Sequence, residues 1–375
     1  MCENEDVAHL RLDGYRNVYV RKRTLDLKIG NSALHLRVQL HMCIQGNAFN
    51  VPPHETISSA TAAEGSTQTV LIPSEPENRR FLKRPNISEG IEQYSALAKS
   101  LKEQECPQYA AFCCLAQARC EHTLANAAGE AQALTDAARS FMEAEQTNIE
   151  LRCPSFEEHL TAAINCYSHA IRVHIENNNV ALAAALCIEL GNALKKIGKS
   201  GEAMSHFQRA AELQSQSPLD CLQSLGAVTS CKIETKDYDG ALSVLTEMAY
   251  LAQERGGSSI TGKPVGAYLD VLHRCEVSRV LLLMLLQPTP QRIRPEHAQT
   301  LEKYTWETSE DSFTVSFLGE DLFLMLQSVV MACQSNDLPS LRALQPELWP
   351  FLSPEQNHLL FLIIRELDHP SGEGV

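Results

Sequence analysis

The chain has 375 residues, of which 44% are hydrophobic but only 6% are aromatic, and its formal net charge is −14. This length fits one extended repeat array or two compact domains, and an apolar fraction carried by Ala and Leu suits packed helices better than a β-sandwich. General nucleic-acid binding is disfavoured, because contacts to phosphate depend on an excess of Lys and Arg.

The first ten residues, MCENEDVAHL, are acidic and lack the apolar core of a signal peptide. We therefore expect the 13 cysteines to be reduced thiols of a protein in the cytoplasm or the nucleus. Cys113 and Cys120 lie seven residues apart and share one helical face, where they could hold a metal together with Cys106. Zinc ligands are normally about two to four residues apart on a turn, so buried thiols acting as small apolar side chains explain the cluster better. We predict no metal and no cofactor.

Residues 1–80 form a divergent N-terminal segment. Apolar residues alternate strictly over 34–44, a shorter alternation precedes them at 25–29, and Gly30-Asn31-Ser32 between them suits a turn. This pattern predicts a β-hairpin within 15–44. Residues 45–80 are rich in Ser, Thr, Ala, Pro and Glu, a composition typical of a disordered linker.

From residue 81 onwards the hydrophobic periodicity is helical, and it defines an all-α domain over 81–375 with a loop at 256–266. Short connections between the helices predict antiparallel neighbours. The first helix begins near Glu89. We expect twelve more at about 107–126, 129–148, 155–176, 180–197, 200–214, 218–234, 238–255, 266–287, 295–307, 318–335, 337–347 and 354–368.

Residues 187–214 follow the pattern of a tetratricopeptide repeat, a helical hairpin of about 34 residues with a Leu-Gly pair in one helix and A-x3-F in the next. Gly191 and Ala203 are expected to form the close contact of the hairpin, and Phe207 to fill the space against the following helix. The motif recurs loosely in the segments before and after this hairpin. We predict a tetratricopeptide-like array, an α-solenoid, in preference to an ordinary helical bundle. Its predicted packing positions are Cys187, Leu190, Gly191, Leu194, Ala203, Phe207, Ala210, Ala241 and Leu245.

One segment, RCEVSRVLLLMLLQPTP at 274–290, could suggest a membrane span. Its unbroken apolar run covers only the seven residues 280–286, whereas a spanning helix needs about 20. A helix that is apolar on all sides over two turns is better explained as a buried helix of the array.

We find no Gly-rich phosphate loop, nucleophile elbow, H-E-x-x-H motif or C-x-x-C pair, so we predict a binding scaffold without enzymatic activity. The C-terminal residues 296–375 carry thirteen acidic side chains against three basic ones. This end is either an ordinary solvated surface or a face that meets a basic partner. The two tryptophans of the chain lie here too, as packing residues or as anchors of an interface. The candidate partner-binding residues are Trp306, Trp349, Phe351, Glu307, Glu310, Asp311, Glu320 and Asp321.

Several segments between 81 and the end of the sequence are too specific to be a generic repeat consensus. They are FLKRPNISEGIEQY (81–94), CPQYAAFCCLAQARC (106–120), RCEVSRVLLLMLLQP (274–288), PEHAQTLEKYTWE (295–307), SPEQNHLLFLII (353–364) and the ending PSGEGV. In these segments the sequence resembles one known family, that of the forty-kilodalton huntingtin-associated proteins (factor VIII intron 22 proteins). The resemblance implies an all-helical, tetratricopeptide-like adaptor that binds huntingtin constitutively and one-to-one, in the cleft between the helical-repeat domains of huntingtin. It also implies a link to early endosomes through an active Rab GTPase, with an effect on vesicle movement along the cytoskeleton.

Two hypotheses about function follow. The favoured one is the huntingtin-binding adaptor of the cytoplasm and early endosomes, with the nucleus as a further location. It predicts that the chain made alone is poorly soluble, because the apolar run 280–286 would lack cover. The alternative is a co-chaperone-like scaffold that holds acidic C-terminal peptides in a basic groove. The candidates for that groove are Lys195, Lys196, Lys199 and Arg209.

Overall fold

The structure, a computed structural model, falls into two units, Met1–Pro85 and Asn86–Val375. The residues it describes are 7–10, 18–21, 26–29, 32–35, 86–257, 264–288, 292–304 and 317–369. The predicted linker over 45–80 lies outside these described residues.

The N-terminal unit contains two short antiparallel strand pairs. Strand β3 (Asp26–Ile29) pairs with β4 (Ser32–His35), with Ile29 opposite Ser32, so the chain reverses where the sequence predicted the turn. The remainder of the predicted second strand, to Ile44, lies outside the described residues. Strand β1 (Val7–Leu10) pairs with β2 (Val18–Arg21), and the sequence analysis missed this pair. Neither VAHL nor VYVR alternates apolar with polar residues, so the pattern that predicted the other pair is missing here.

The second unit is all-α, and the described residues contain thirteen helices, one for each predicted helix. The predicted fold class, a tetratricopeptide-like array of antiparallel helical hairpins, is confirmed. The helices are α1 (Ile87–Glu103), α2 (Pro107–Thr123), α3 (Ala127–Glu150), α4 (Glu158–Glu176), α5 (Val180–Lys196), α6 (Ser200–Leu213), α7 (Pro218–Glu234), α8 (Tyr238–Arg255), α9 (Ala267–Leu286), α10 (Pro295–Glu302), α11 (Glu320–Gln334), α12 (Leu338–Leu348) and α13 (Pro354–Asp368).

A recurring tight turn joins successive helices. One residue of the turn adopts a left-handed conformation, as Gly198 does at φ 83° between α5 and α6. The backbone amide of the next residue, Lys199, donates a hydrogen bond to the carbonyl of Leu194 at 2.9 Å. This bond satisfies a carbonyl that the helix end would otherwise leave unpaired. At Asn126 and Asp237 the side chain then caps the next helix by accepting an amide hydrogen bond. Turns this short keep consecutive helices antiparallel.

All nine predicted packing positions of the repeat are buried in the structure. The structure adds a contact that the sequence did not predict. A Cβ placed on Gly191 would lie 2.7 Å from Cε1 of Phe207, so the Phe207 ring packs on the first helix of its own hairpin. Gly191 lacks a side chain and so leaves room for the ring within the hairpin.

Helix α9 is buried on every side over its C-terminal half, as its sequence predicted. The leucines at 281–283 have no exposed surface, and helices of the same chain, α8, α11 and α13 among them, pack against it. The chain itself therefore covers the apolar run 280–286, and the reason given for poor solubility of the isolated chain is wrong. Within the described residues, no helix combines the length and the apolar character needed to cross a membrane.

Candidate interaction surfaces

The cysteines of the described residues do not form a metal-binding group. No group of three or more His, Cys, Asp or Glu side chains among these residues could hold a metal. Burial, together with the neighbouring Cys114, raises the pKa of the Cys113 thiol to about 11, and burial raises that of Cys120 as well. A thiol that stays protonated is a poor nucleophile and a poor metal ligand.

Polar side chains bridge the first helices of successive hairpins. Arg139 of α3 donates two hydrogen bonds to the Glu189 carboxylate of α5, at 2.6 and 2.8 Å. The buried Tyr167 of α4 donates a third, at 2.7 Å. The hydrogen bond from Arg139 and that from Tyr167 lower the pKa of Glu189. This network fixes the position of one hairpin relative to the next, and we assign it a structural role.

The three lysines proposed to line a basic groove already have partners within the chain. Lys195 forms an ion pair with Glu234 at 2.9 Å, and Lys196 donates to Gln146 at 3.0 Å. Lys199 contacts Glu157 at 2.7 Å and also pairs with Glu202 at 3.2 Å. Arg209, the fourth candidate, is exposed on α6. An acidic peptide would have to compete with these carboxylates, so the surface is poorly suited to hold one.

The turn between α12 and α13 exposes two aromatic side chains. Trp349 is 61% exposed and Phe351 is 47% exposed. The backbone beneath them is fixed, because Leu348 and Leu352 are buried on either side and the Asn357 amide donates to the Trp349 carbonyl at 3.3 Å. The turn therefore presents both rings to solvent on an anchored backbone.

The acidic candidates divide into two groups. Glu320 and Asp321 are exposed in the first turn of α11. Because α11 and α12 are antiparallel neighbours, the start of α11 and the end of α12 lie at the same end of the hairpin. These two carboxylates therefore share an end of the fold with Trp349 and Phe351. The other candidates, Trp306, Glu307, Glu310 and Asp311, lie outside the described residues.

Sequence reasoning missed a second exposed apolar group, at the corner between α3 and α4. Ile149, Leu151 and Phe156 are 50%, 69% and 88% exposed. A signal was present in the sequence, since three large apolar residues flank the helix-breaking Cys153-Pro154-Ser155 in a segment where turn residues are usually polar. The predicted helix ended at 148, so these residues were treated as an ordinary connection and their exposure was not considered.

These features together describe a helical-hairpin repeat protein whose candidate sites are surfaces for protein contact. The family model of the soluble NSF attachment protein, SNAP, matches residues 82–255. The 40-kDa huntingtin-associated proteins of Mus musculus and Rattus norvegicus are each 44% identical to the chain over 347 residues, covering 79% of it and 91% of their own length. The chain belongs to this family of 40-kDa huntingtin-associated proteins.

Two solved structures align with the chain at low scores. A structure of pilF from Pseudomonas aeruginosa covers 73% of this chain and 98% of its own at 13% identity, with a TM-score of 0.30. A circular tandem repeat protein with novel repeat topology covers 75% of this chain and 76% of its own at 13% identity, with a TM-score of 0.33. Scores this low support no closer structural relationship.

Proposed function

We propose that the chain is a non-enzymatic adaptor that binds huntingtin in a stable one-to-one complex. The observation that carries the proposal is the 44% identity to the mouse 40-kDa huntingtin-associated protein across 91% of that protein's length. The geometry supports it, because the described residues offer exposed apolar side chains on fixed backbones.

We assign part of the contact to the α12–α13 turn and the adjacent start of α11. Exposed aromatic side chains are common anchors of protein interfaces, and an anchored backbone lowers the entropy lost on binding. The carboxylates of Glu320 and Asp321 add a negative rim, which suits a basic surface on the partner. Within this surface, the aromatic pair is expected to supply most of the affinity, and the acidic pair the sensitivity to salt.

The test is co-expression of the full chain with huntingtin, followed by size-exclusion chromatography at about 0.15 M and about 1 M salt, where screening lengths are about 8 Å and 3 Å. We expect co-elution at one-to-one, retained at high salt because apolar burial dominates. Trp349→Ala with Phe351→Ala should weaken the complex at both salt concentrations. Glu320→Lys with Asp321→Lys should weaken it at low salt only.

The matched control is Tyr250→Ala, which removes an equally exposed aromatic ring from α8. It should leave co-elution unchanged. Absence of co-elution by the unaltered chain would refute the proposed partner. Full binding by both double variants would refute the assignment of this surface while leaving the partner intact.

We further propose that the adaptor links huntingtin to early endosomes through a Rab GTPase, and that it resides in the cytoplasm with the nucleus as a second location. This part rests on the family resemblance. A Rab of early endosomes, loaded with a non-hydrolysable GTP analogue, should retain the purified complex on beads, and the GDP-loaded form should not. Equal retention by both nucleotide states would contradict an active-state link.

The co-chaperone hypothesis ranks below the adaptor hypothesis. A groove for acidic C-terminal peptides needs free cations, whereas Lys195, Lys196 and Lys199 contact carboxylates and an amide of the chain itself. Saturable binding of an acidic peptide, lost on Lys195→Glu with Lys199→Glu, would restore this hypothesis.

A further inference from the structure

We infer that the corner between α3 and α4, residues 149–158, is a second docking surface, and that it inserts into an apolar pocket with a basic rim on the partner protein. The inference rests on the proposed function, because the partner used to test it is huntingtin. Its starting point is the exposure of Ile149, Leu151 and Phe156 within eight consecutive residues. The Phe156 side chain, at 88%, is the most exposed large apolar side chain of the described residues.

The first half of the corner is fixed to the end of α3 by backbone hydrogen bonds. The amide of Cys153 donates to the carbonyl of Asn148 at 2.8 Å, and that of Arg152 donates to Ile149 at 3.0 Å. Arg152 occupies the left-handed region at φ 52°, which ends the helix. Leu151 therefore projects from a closed turn.

The second half of the corner, residues 155–157, is held by contacts with Glu145 of α3 and with Lys199. The Ser155 hydroxyl donates to the buried Glu145 carboxylate at 3.2 Å and accepts the amide of Glu157 at 2.9 Å. The Glu157 carboxylate in turn pairs with Lys199, at the turn between α5 and α6, at 2.7 Å. The backbone on both sides of Phe156 is thus held in place, while its ring contacts mostly solvent.

An exposed aromatic ring on a fixed backbone suits insertion into a pocket. The ring loses little conformational freedom on binding, and burying it removes a large apolar surface from water. A loop whose only task was to join α3 to α4 would gain nothing from Phe156 over a polar residue. The neighbouring apolar side chains extend the same surface.

The charges of the corner indicate the kind of pocket. Residues 149–158 carry three carboxylates and Arg152. Because Glu157 is paired with Lys199, the negative rim consists of Glu150 and Glu158. A negative rim around an apolar centre favours a pocket bordered by Lys and Arg. It disfavours an anionic membrane surface, and it disfavours a second copy of this chain, whose net charge is −14.

The test compares three full-length variants with the unaltered chain in binding to purified huntingtin. Leu151→Ser with Phe156→Ser should weaken binding by about thirtyfold, the size of a hot-spot effect, with an unchanged midpoint of thermal unfolding because both side chains are exposed. Leu182→Ser with Tyr250→Ser removes side chains of similar exposure from α5 and α8, and it should bind as the unaltered chain does. Glu150→Lys with Glu158→Lys should weaken binding at low salt and reduce its dependence on salt.

Each outcome decides one point. If the unaltered chain binds and the serine and lysine variants of the corner bind equally well, the docking surface is refuted and the proposed function stands. If the unaltered chain does not bind, the proposed function fails and the inference fails with it. Equal weakening by the control variant would show unspecific adhesion. If the corner variants instead abolish self-association, or flotation with vesicles of anionic lipid, the assigned class of partner is wrong.

Discussion

At the scale of single residues, the hairpin of α5 and α6 is held together by a complementary pair. Gly191 has no side chain, and the buried ring of Phe207 occupies the space that a Cβ at this position would fill. Glycine within a helix is unfavourable by about 1 kcal/mol relative to alanine. The close packing of the ring offsets this local cost, so the pair is a property of two helices together.

We predict that Gly191→Ala destabilises the chain by a net amount of about 1 kcal/mol, because overpacking by about 1–3 kcal/mol exceeds the gain in helix propensity. Gly201→Ala in α6, where an added Cβ meets open space, should be neutral or stabilising. Urea unfolding followed by circular dichroism measures both. Introducing Phe207→Leu should relieve the cost of Gly191→Ala, and equal behaviour of the two alanine variants would contradict the steric explanation.

A second prediction at this scale concerns pH. His297 is buried beside Thr246, and burial, then the nearby charges of Arg279 and Arg294, lower its pKa below the ordinary value of 6.5. The unfolded chain therefore binds the proton more readily than the folded chain does. The contribution of His297 to stability is complete above pH 6.5 and is lost as the pH falls through and below that value.

Urea midpoints measured between pH 5 and pH 8 test this sign. Burial also lowers the pKa of His169, His174, His206 and His273, so the unaltered chain should lose stability on acidification through this range. His297→Gln should make the dependence shallower than that of the unaltered chain. Parallel curves for the two proteins would show that His297 is not a source of the pH dependence.

At the scale of elements, α9 organises the C-terminal core. Its leucines fill the space between α8, α11 and α13, and the Gln356 side chain of α13 donates to the Ser278 hydroxyl of α9 at 3.0 Å. An apolar helix with no polar face can be stable in water only if other elements surround it. The arrangement makes α9 the element on which the stability of this half of the array depends most.

We predict that Leu282→Ala, at a side chain with no exposed surface, lowers the free energy of unfolding by about 2–5 kcal/mol through lost burial and a cavity. Leu324→Ala on α11 removes a leucine that is half exposed, and it should cost less than about 1 kcal/mol. Equilibrium urea unfolding compares them. Similar costs at the two sites would mean that α9 is not the centre of the core.

At the scale of the whole molecule, the helical unit covers its own apolar segments. The acidic excess of the chain keeps molecules apart. The exposed large apolar side chains of the described residues are spread over helices, as Leu182, Tyr250 and Leu324 are, and over turns, as Phe156 and Trp349 are. Partner binding therefore does not have to compensate for an uncovered core. It can instead use a limited number of presented side chains.

We predict that the full chain purified without a partner is a folded monomer that unfolds cooperatively. Sedimentation velocity measures its state of association, and near-ultraviolet circular dichroism on heating measures the loss of tertiary packing. A fluorescent dye that binds exposed apolar surface should show little emission before the transition. Aggregation at low concentration, or strong dye binding in the native state, would show that α9 lacks cover after all.

The thirteen helices and most of their turns could be predicted from the sequence, because hydrophobic periodicity and capping residues act within a few positions along the chain. The β1–β2 pair could not, since VAHL and VYVR lack a strict apolar–polar alternation. Of the candidate contact residues, Trp349 and Phe351 were recognised as aromatic residues of an acidic segment. Their exposure was not predictable, since it depends on where Leu348 and Leu352 are buried.

Hydrophobic periodicity was enough to predict an all-α hairpin array, and the specific segments within 81–375 were enough to predict the family. The packing of Phe207 on Gly191, the pairing of the groove lysines and the exposure of Phe156 became visible only in the folded chain. The two kinds of feature differ in how far apart along the chain the interacting residues lie. Helix periodicity and turns follow from neighbours a few positions apart, whereas burial and ion pairing follow from residues that folding brings together, such as Lys199 with Glu157, 42 positions away.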